Sequence, residues 1–128
     1  MTTFDHIAIF VTDVERSAAF YESVFGFPRI PEPFHDGLHI WLEIGPNGSL
    51  HIVGNADAAK DHAISHHMAF RTEDLDAFMA RLEALNVEFR NFRGNGKVSA
   101  RRDGVRQIYF QDPDNYWIEV NEAKYDGE

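Results

Sequence analysis

Polar and apolar residues alternate from Phe4 to Val11, with Ile7, Ile9 and Val11 on one side and His6, Ala8 and Phe10 on the other, the pattern of a half-buried strand. The spacing then becomes helical. Val14, Ala18, Tyr21 and Phe25 recur at helical intervals, Thr12 and Glu15 match a capping box, and Gly26 supplies a left-handed stop. Phe27 to Phe34, interrupted by Pro28, Pro31 and Pro33, reads as a short irregular edge strand. Leu38 to Ile44 and Ser49 to Val53 flank Gly45-Pro46-Asn47-Gly48, whose Asn-Gly pair favours a tight hairpin turn. The first half, residues 1–54, is thus predicted as a strand, a helix and three strands.

A polar, alanine-rich stretch at 55–65 reads as a linker, and residues 66–128 repeat the order. His66 to Arg71 is the strand. Asp74 to Leu85 is the helix, with Leu75, Phe78, Met79, Leu82 and Leu85 as its apolar stripe and Asn86 at its end. Val87 to Arg93, Val105 to Gln111 and Tyr116 to Glu122 supply three strands, the last two joined by a turn at Asp112-Pro113-Asp114-Asn115. Gly94 to Gly104, with Lys97, Arg101 and Arg102, reads as a long mobile loop, of a length that more often serves as a lid than as a connector.

The halves share more than their order of elements. His6-Ile7-Ala8-Ile9 leads to Thr12-Asp13, and 61 residues later His67-Met68-Ala69-Phe70 leads to Glu73-Asp74, with His, Ala and Asp in register. Each half ends on a strand with one further metal-ligand type, His51 between Leu50 and Ile52, and Glu119 between Ile118 and Val120. Alternation puts all four on the strand faces opposite the helix-packed ones. Two half-sheets covered by helices on their outer faces would bring those inner faces together as a cup or open barrel, an α+β fold of two paired βαβββ modules. The same parity sets His39, Trp41 and Glu43 on the cup wall from one half and Gln107 and Tyr109 from the other.

A single His at a strand edge is ordinarily structural or exposed, and a single Glu between apolar residues is ordinarily the wet side of a strand. Four ligand types at matched places, all of one parity, point instead to one divalent-metal site. His35, His39, His62 and His66 lack counterparts in the other half and read as structural or surface residues.

The charge balance narrows the partners. Twelve Lys and Arg against 21 Asp and Glu leave a net charge of −9, which disfavours nucleic acid, whose binding rests on cations neutralising phosphates. There is no cysteine, hence no disulfide or thiolate zinc site. No apolar run reaches membrane-spanning length, and the first residues lack the basic and apolar regions of a secretion signal, so the expectation is a cytoplasmic protein with no membrane partner.

Taken together, His6-Ile-Ala, His67-Met-Ala, Ala19-Phe20-Tyr21 running to Phe25-Gly26-Phe27, and Asp112-Pro113-Asp114-Asn115 followed by Trp117-Ile118-Glu119 resemble the vicinal oxygen chelate superfamily, the glyoxalase, bleomycin-resistance and extradiol-dioxygenase group. Members isomerise, epimerise, add thiols, cleave aromatic rings or only bind drugs. The resemblance implies a divalent metal held by His6, His51, His67 and Glu119, in a cup formed within one chain or between two chains of a homodimer. Departures narrow the chemistry. Glyoxalase I of the bacterial type carries Glu where this chain has His51, and a glutathione-anchoring Arg where it has Phe10. Asn55 matches a glutathione-binding Asn of that enzyme, and Arg71 sits at the pseudo-symmetric equivalent of the missing Arg. A fosfomycin-type thiol transferase shares His6, His67, Tyr109 and Glu119 by position. Extradiol dioxygenases use two His and one Glu on iron, so a ligand at His51 would fill a position they keep open.

The resulting expectation is a metal-dependent lyase or isomerase acting on a small molecule that chelates zinc, nickel, manganese or iron through neighbouring oxygens. Glu119 would move the proton, and Asn55, Arg71, Trp41, Gln107 and Tyr109 would contact substrate, with Arg71 holding a carboxylate. The alternatives are a drug-binding protein without turnover and a ring-cleaving dioxygenase.

Overall fold

The computed structural model describes residues 1–124 and orders them as β1 (His6–Phe10), α1 (Val14–Phe25), β2 (Arg29–Ile30), β3 (His39–Gly45), β4 (Gly48–Val53), β5 (His67–Arg71), α2 (Leu75–Ala84), β6 (Ser99–Ala100), β7 (Arg106–Gln111) and β8 (Trp117–Asn121). They divide into two compact units, Met1–Lys60 and a second beginning at Asp61, each an α+β arrangement of one helix and one four-stranded mixed sheet. The sheet orders are β1-β4-β3-β2 and β5-β8-β7-β6. In both, the first and last strands pair in parallel and the remaining pairs are antiparallel. No helix among the described residues is long and apolar enough to cross a membrane.

In the first unit α1 packs on β3 and β4. Ala18, Tyr21 and Val24 meet the apolar parity of the sheet, where Leu42, Leu50 and Ile52 are completely buried. Each such side chain contributes about 2 kcal/mol by leaving water. A one-residue slip of β4 would expose Leu50 and Ile52 and bury His51, so the apolar core fixes the face on which His51 stands. The N-cap of α1 is Asp13, whose carboxylate accepts from Arg16 N at 3.1 Å, not Thr12. Thr12 Oγ1 instead accepts from the Arg16 guanidinium at 2.9 Å. Gly26 ends the helix at φ 73°, as its position predicts.

In the second unit α2 starts at Asp74, which accepts from Ala77 N at 2.9 Å, and lays Phe78 6.1 Å from the Phe110 ring of β7. Leu75 and Leu82 are buried, but Leu85, past the last turn, is 40% exposed and drops out of the predicted stripe. The β7–β8 turn is built by Asp112, whose Oδ1 accepts from the backbone N–H of both Asp114 and Tyr116 at 2.9 Å. This turn sets the register that places Tyr109 opposite Glu119.

The edges depart from expectation. Proline, lacking an N–H, confines the strand predicted at 27–34 to Arg29–Ile30. The strand predicted from Val87 to Arg93 is reduced to a bridge between Arg90 and Tyr109. Its chain turns at Asn91, whose Oδ1 accepts from Gly94 N and Asn95 N and whose own N–H reaches Gly96 O. Ser99–Ala100 of the predicted loop then takes the sheet edge beside β7.

Candidate metal centre

Each unit brings one pair of the predicted ligands together. In the first, β1 and β4 run in parallel with Ala8 opposite His51, so His6 lies one step diagonally from His51 on the same face, and Trp41 of β3 lies directly across. The three rings form a column: Trp41 and His51 stack at 3.8 Å between centroids, and His51 and His6 at 3.9 Å. His6 Nδ1 bonds Asp5 Oδ2 at 2.5 Å, a contact that does not engage Nε2, while His51 Nε2 lies 3.0 Å from Ser49 Oγ. Burial, and then the neighbouring His6, hold His51 below the usual histidine value, which favours the neutral imidazole that metals bind.

The second unit presents a more tightly held pair. His67 Nδ1 donates to the Ile64 carbonyl at 2.7 Å, and since a carbonyl only accepts, the ring's Nε2 is the atom turned toward Glu119, 3.2 Å from Oε1. Glu119 is 7% exposed. The Tyr109 hydroxyl donates to its Oε1 at 2.7 Å and Asn121 Nδ2 to its Oε2 at 2.6 Å. Asn121 is held in turn, because its Oδ1 accepts from Ala123 N at 3.0 Å. Burial and the adjacent carboxylate push the Tyr109 phenol well above its ordinary value, so it remains a donor across physiological pH.

The strand registers make His51 and Glu119 equivalent. His51 is paired with Ala8 on one side and Trp41 on the other, and Glu119 with Ala69 and Tyr109. Phe10 and Arg71 are equivalent by the same pairing, opposite Val53 and Asn121 respectively.

This donor chemistry fits a divalent ion. An imidazole anchored through its far nitrogen to a backbone carbonyl, beside a carboxylate oriented by neutral donors, is how proteins orient metal ligands. Among the described residues no group of three or more His, Cys, Asp or Glu side chains is gathered. Each unit thus holds two of the four predicted ligands.

The other predicted residues fall as follows. Gln107, half-buried, stands opposite Asn121 on the Glu119 face, and exposed Arg71 ends β5 on that face. Asn55 is exposed just after β4. His39 bonds Asp36 at 2.8 Å on the same strand face as Trp41, His62 stacks on Tyr116, and exposed His66 precedes β5. Sequence reasoning missed two partners. Asn121 is two residues beyond Glu119 and so shares its face by simple alternation, and Asp5 precedes His6.

A family model for the Glyoxalase/Bleomycin resistance protein/Dioxygenase superfamily matches residues 3–120. The chain belongs to this superfamily. An uncharacterized protein, YwbC of Bacillus subtilis strain 168, is 29% identical over 121 residues, covering 90% of this chain and 93% of its own. Lactoylglutathione lyase of Pseudomonas putida is 25% identical over 150 residues, covering 91% and 83%. Among solved structures, a fosfomycin resistance protein, FosX of Listeria monocytogenes, superposes with a TM-score of 0.75 at 25% identity over 93% of this chain and 90% of its own; it is complexed with Mn(II) and 1S,2S-dihydroxypropylphosphonic acid.

Proposed function

We propose that this superfamily member is a metal-dependent lyase or isomerase of the glyoxalase type, acting on a small substrate that chelates one divalent ion through neighbouring oxygens. His6, His51, His67 and Glu119 are its ligands. The observation that carries this reading is the grip on Glu119: a nearly buried carboxylate with one oxygen on Tyr109, the other on Asn121, and a carbonyl-anchored imidazole beside it. A carboxylate so placed costs desolvation and is best accounted for by a cation it was built to meet.

Bound there, a divalent ion supplies Lewis acidity toward a carbonyl or enediolate oxygen. Glu119 takes a proton from the adjacent substrate carbon and returns it, Tyr109 and Asn121 keep its oxygens in place, and His67 is kept from turning by Ile64. Arg71 holds a substrate carboxylate, with Gln107, Asn55 and Trp41 as further contacts. The working form is a homodimer. The Mn(II) complex of FosX supports a divalent ion in this fold, without fixing zinc, nickel, manganese or iron here.

The test is a screen of the protein reconstituted with each of these four metals against 2-oxoaldehyde hemithioacetals, acyl thioesters and catechols. Turnover of a hemithioacetal or thioester that disappears in Glu119→Gln is expected. Oxygen consumption with catechols in the ferrous protein alone would assign a dioxygenase. A second reading, drug binding without turnover, draws on the stacked Trp41–His51–His6 column, with Phe34 tilted against His39 at 4.5 Å. It predicts ligand binding that survives loss of His6.

A further inference from the structure

On the ligand face of the second unit an exposed arginine lays its guanidinium on a ring, with no acceptor for it among the described residues. Arg90 and Tyr109 exchange both backbone hydrogen bonds, at 2.8 and 2.7 Å, so their side chains leave the sheet on the same side, the side of Glu119. From there the Arg90 guanidinium reaches the Trp117 ring, 4.8 Å from its centroid. Trp117 is the parallel partner of His67 and is itself fixed, because its indole N–H donates to the His62 carbonyl at 2.9 Å. On another side the guanidinium is confined by Gly94, where a Cβ would come within 2.8 Å of Nη1. Gly94 adopts φ 75° and its N–H is tied to Asn91 Oδ1 at 2.8 Å, so this confinement is built into the turn.

Among the described residues no carboxylate or carbonyl accepts from this guanidinium, although Arg29, Arg101 and Arg106 each carry an acidic partner. In a chain of net charge −9, an arginine left with a fork of unused donors beside a ligand pair is unusual. The geometry points to Arg90 as an anion-binding residue that takes a carboxylate of the substrate whose neighbouring oxygens chelate the metal, on the His67–Trp117 side of Glu119. This rests on the metal-site reading above and adds a second cationic contact, apart from Arg71, for an anionic substrate. Arg71, beside Asn121, lies to the other side of Glu119 along the strands. The Trp117 and Gly94 contacts restrict the side chain beforehand, so little rotamer freedom is lost when an anion forms paired, charge-assisted hydrogen bonds to it.

A matched pair of chelating probes tests this: catechol, and 3,4-dihydroxybenzoate, which adds a carboxylate. Calorimetric titration of the metal-loaded protein gives the ratio of their affinities. Arg90→Gln lowers the preference for 3,4-dihydroxybenzoate by about ten-fold or more, the loss expected for a charge-assisted contact. Arg90→Lys lowers it partly, and Arg93→Gln, which removes an equal charge from an exposed neighbour, leaves it unchanged. A ratio unaltered in Arg90→Gln, an equal fall in Arg93→Gln, or no binding of either probe overturns the proposal. Catechol affinity in His67→Ala reports separately: binding retained there contradicts the metal site, while Arg90 is still judged on the ratio.

Discussion

Tyr109→Phe isolates one contact in the grip on Glu119. The substitution keeps the ring, which is 3% exposed and meets His67 and Phe92 edge to face at 5.2 and 5.5 Å, so the packing term is nearly unchanged. What is lost is the donor 2.7 Å from Glu119 Oε1. Asn121 Nδ2 remains on the other oxygen, and an N–H of Asn121 does not reach both. A buried hydrogen bond to a charged group is worth about 1.5–3 kcal/mol, so the metal-free variant is expected to lose about 2 kcal/mol of unfolding free energy. The assay is urea denaturation followed by circular dichroism, run as a double-mutant cycle with Glu119→Gln. Removing the carboxylate first should shrink the cost of Tyr109→Phe by about 1 kcal/mol or more. In the same variant, loss of a partner that orients a metal ligand is expected to weaken metal binding about ten- to a hundred-fold. A coupling energy within about 0.3–0.5 kcal/mol of zero, the scatter of independent sites, would refute the claim that Tyr109 acts on Glu119.

Two further predictions test the frame around the site. Asp13→Ala should destabilise the protein by about 1 kcal/mol through loss of the α1 cap, whereas Thr12→Ala, which removes an exposed contact to Arg16, should fall within about 0.5 kcal/mol of wild type; reversed effects in chemical denaturation would restore Thr12 as the cap. Hydrogen bonds from Arg106 hold Asp76 and Glu122 below the ordinary carboxylate values, so their contribution is present above those values and is lost as pH falls through the lowered folded-state ones. Arg106→Gln should therefore reduce stability at neutral pH and converge with wild type only once pH has fallen below the lowered folded-state values, and a difference that persists when both carboxylates are protonated would contradict the assignment.

Much of this was legible in the sequence because strand parity is a strict rule. Once Ile9, Leu50, Ile118 and Val120 are taken as core, His51 and Glu119 have one face left to occupy; burial alternates accordingly in β4, whereas in β8 Glu119 and Asn121 are buried as well. The repeat of His6 in His67 marked the equivalent strands, and the pairing registers reproduce it. The sheet edges were less legible. The residues at 87–104 carry no strong period, and their course is decided by Asn91 folding the chain back on Gly94, Asn95 and Gly96, a side-chain effect that hydrophobic pattern does not register. Arg90 escaped notice for the same reason, since its place depends on a bridge to Tyr109 and a ring at Trp117 distant in sequence. Thr12 and Asp13 are both capping residues one position apart, and local sequence does not separate them.

The central claim, that His6, His51, His67 and Glu119 hold one divalent ion together although each unit supplies only two of them, is tested most directly by metal content. The protein and its four single variants, His6→Ala, His51→Ala, His67→Ala and Glu119→Gln, would be saturated with zinc or manganese, freed of excess by gel filtration, and analysed by inductively coupled plasma mass spectrometry. One ion per chain is expected in the wild type and a large loss in every variant, in both units alike. Wild-type protein that retains no ion, or full retention after loss of either His6 and His51 or His67 and Glu119, would contradict it.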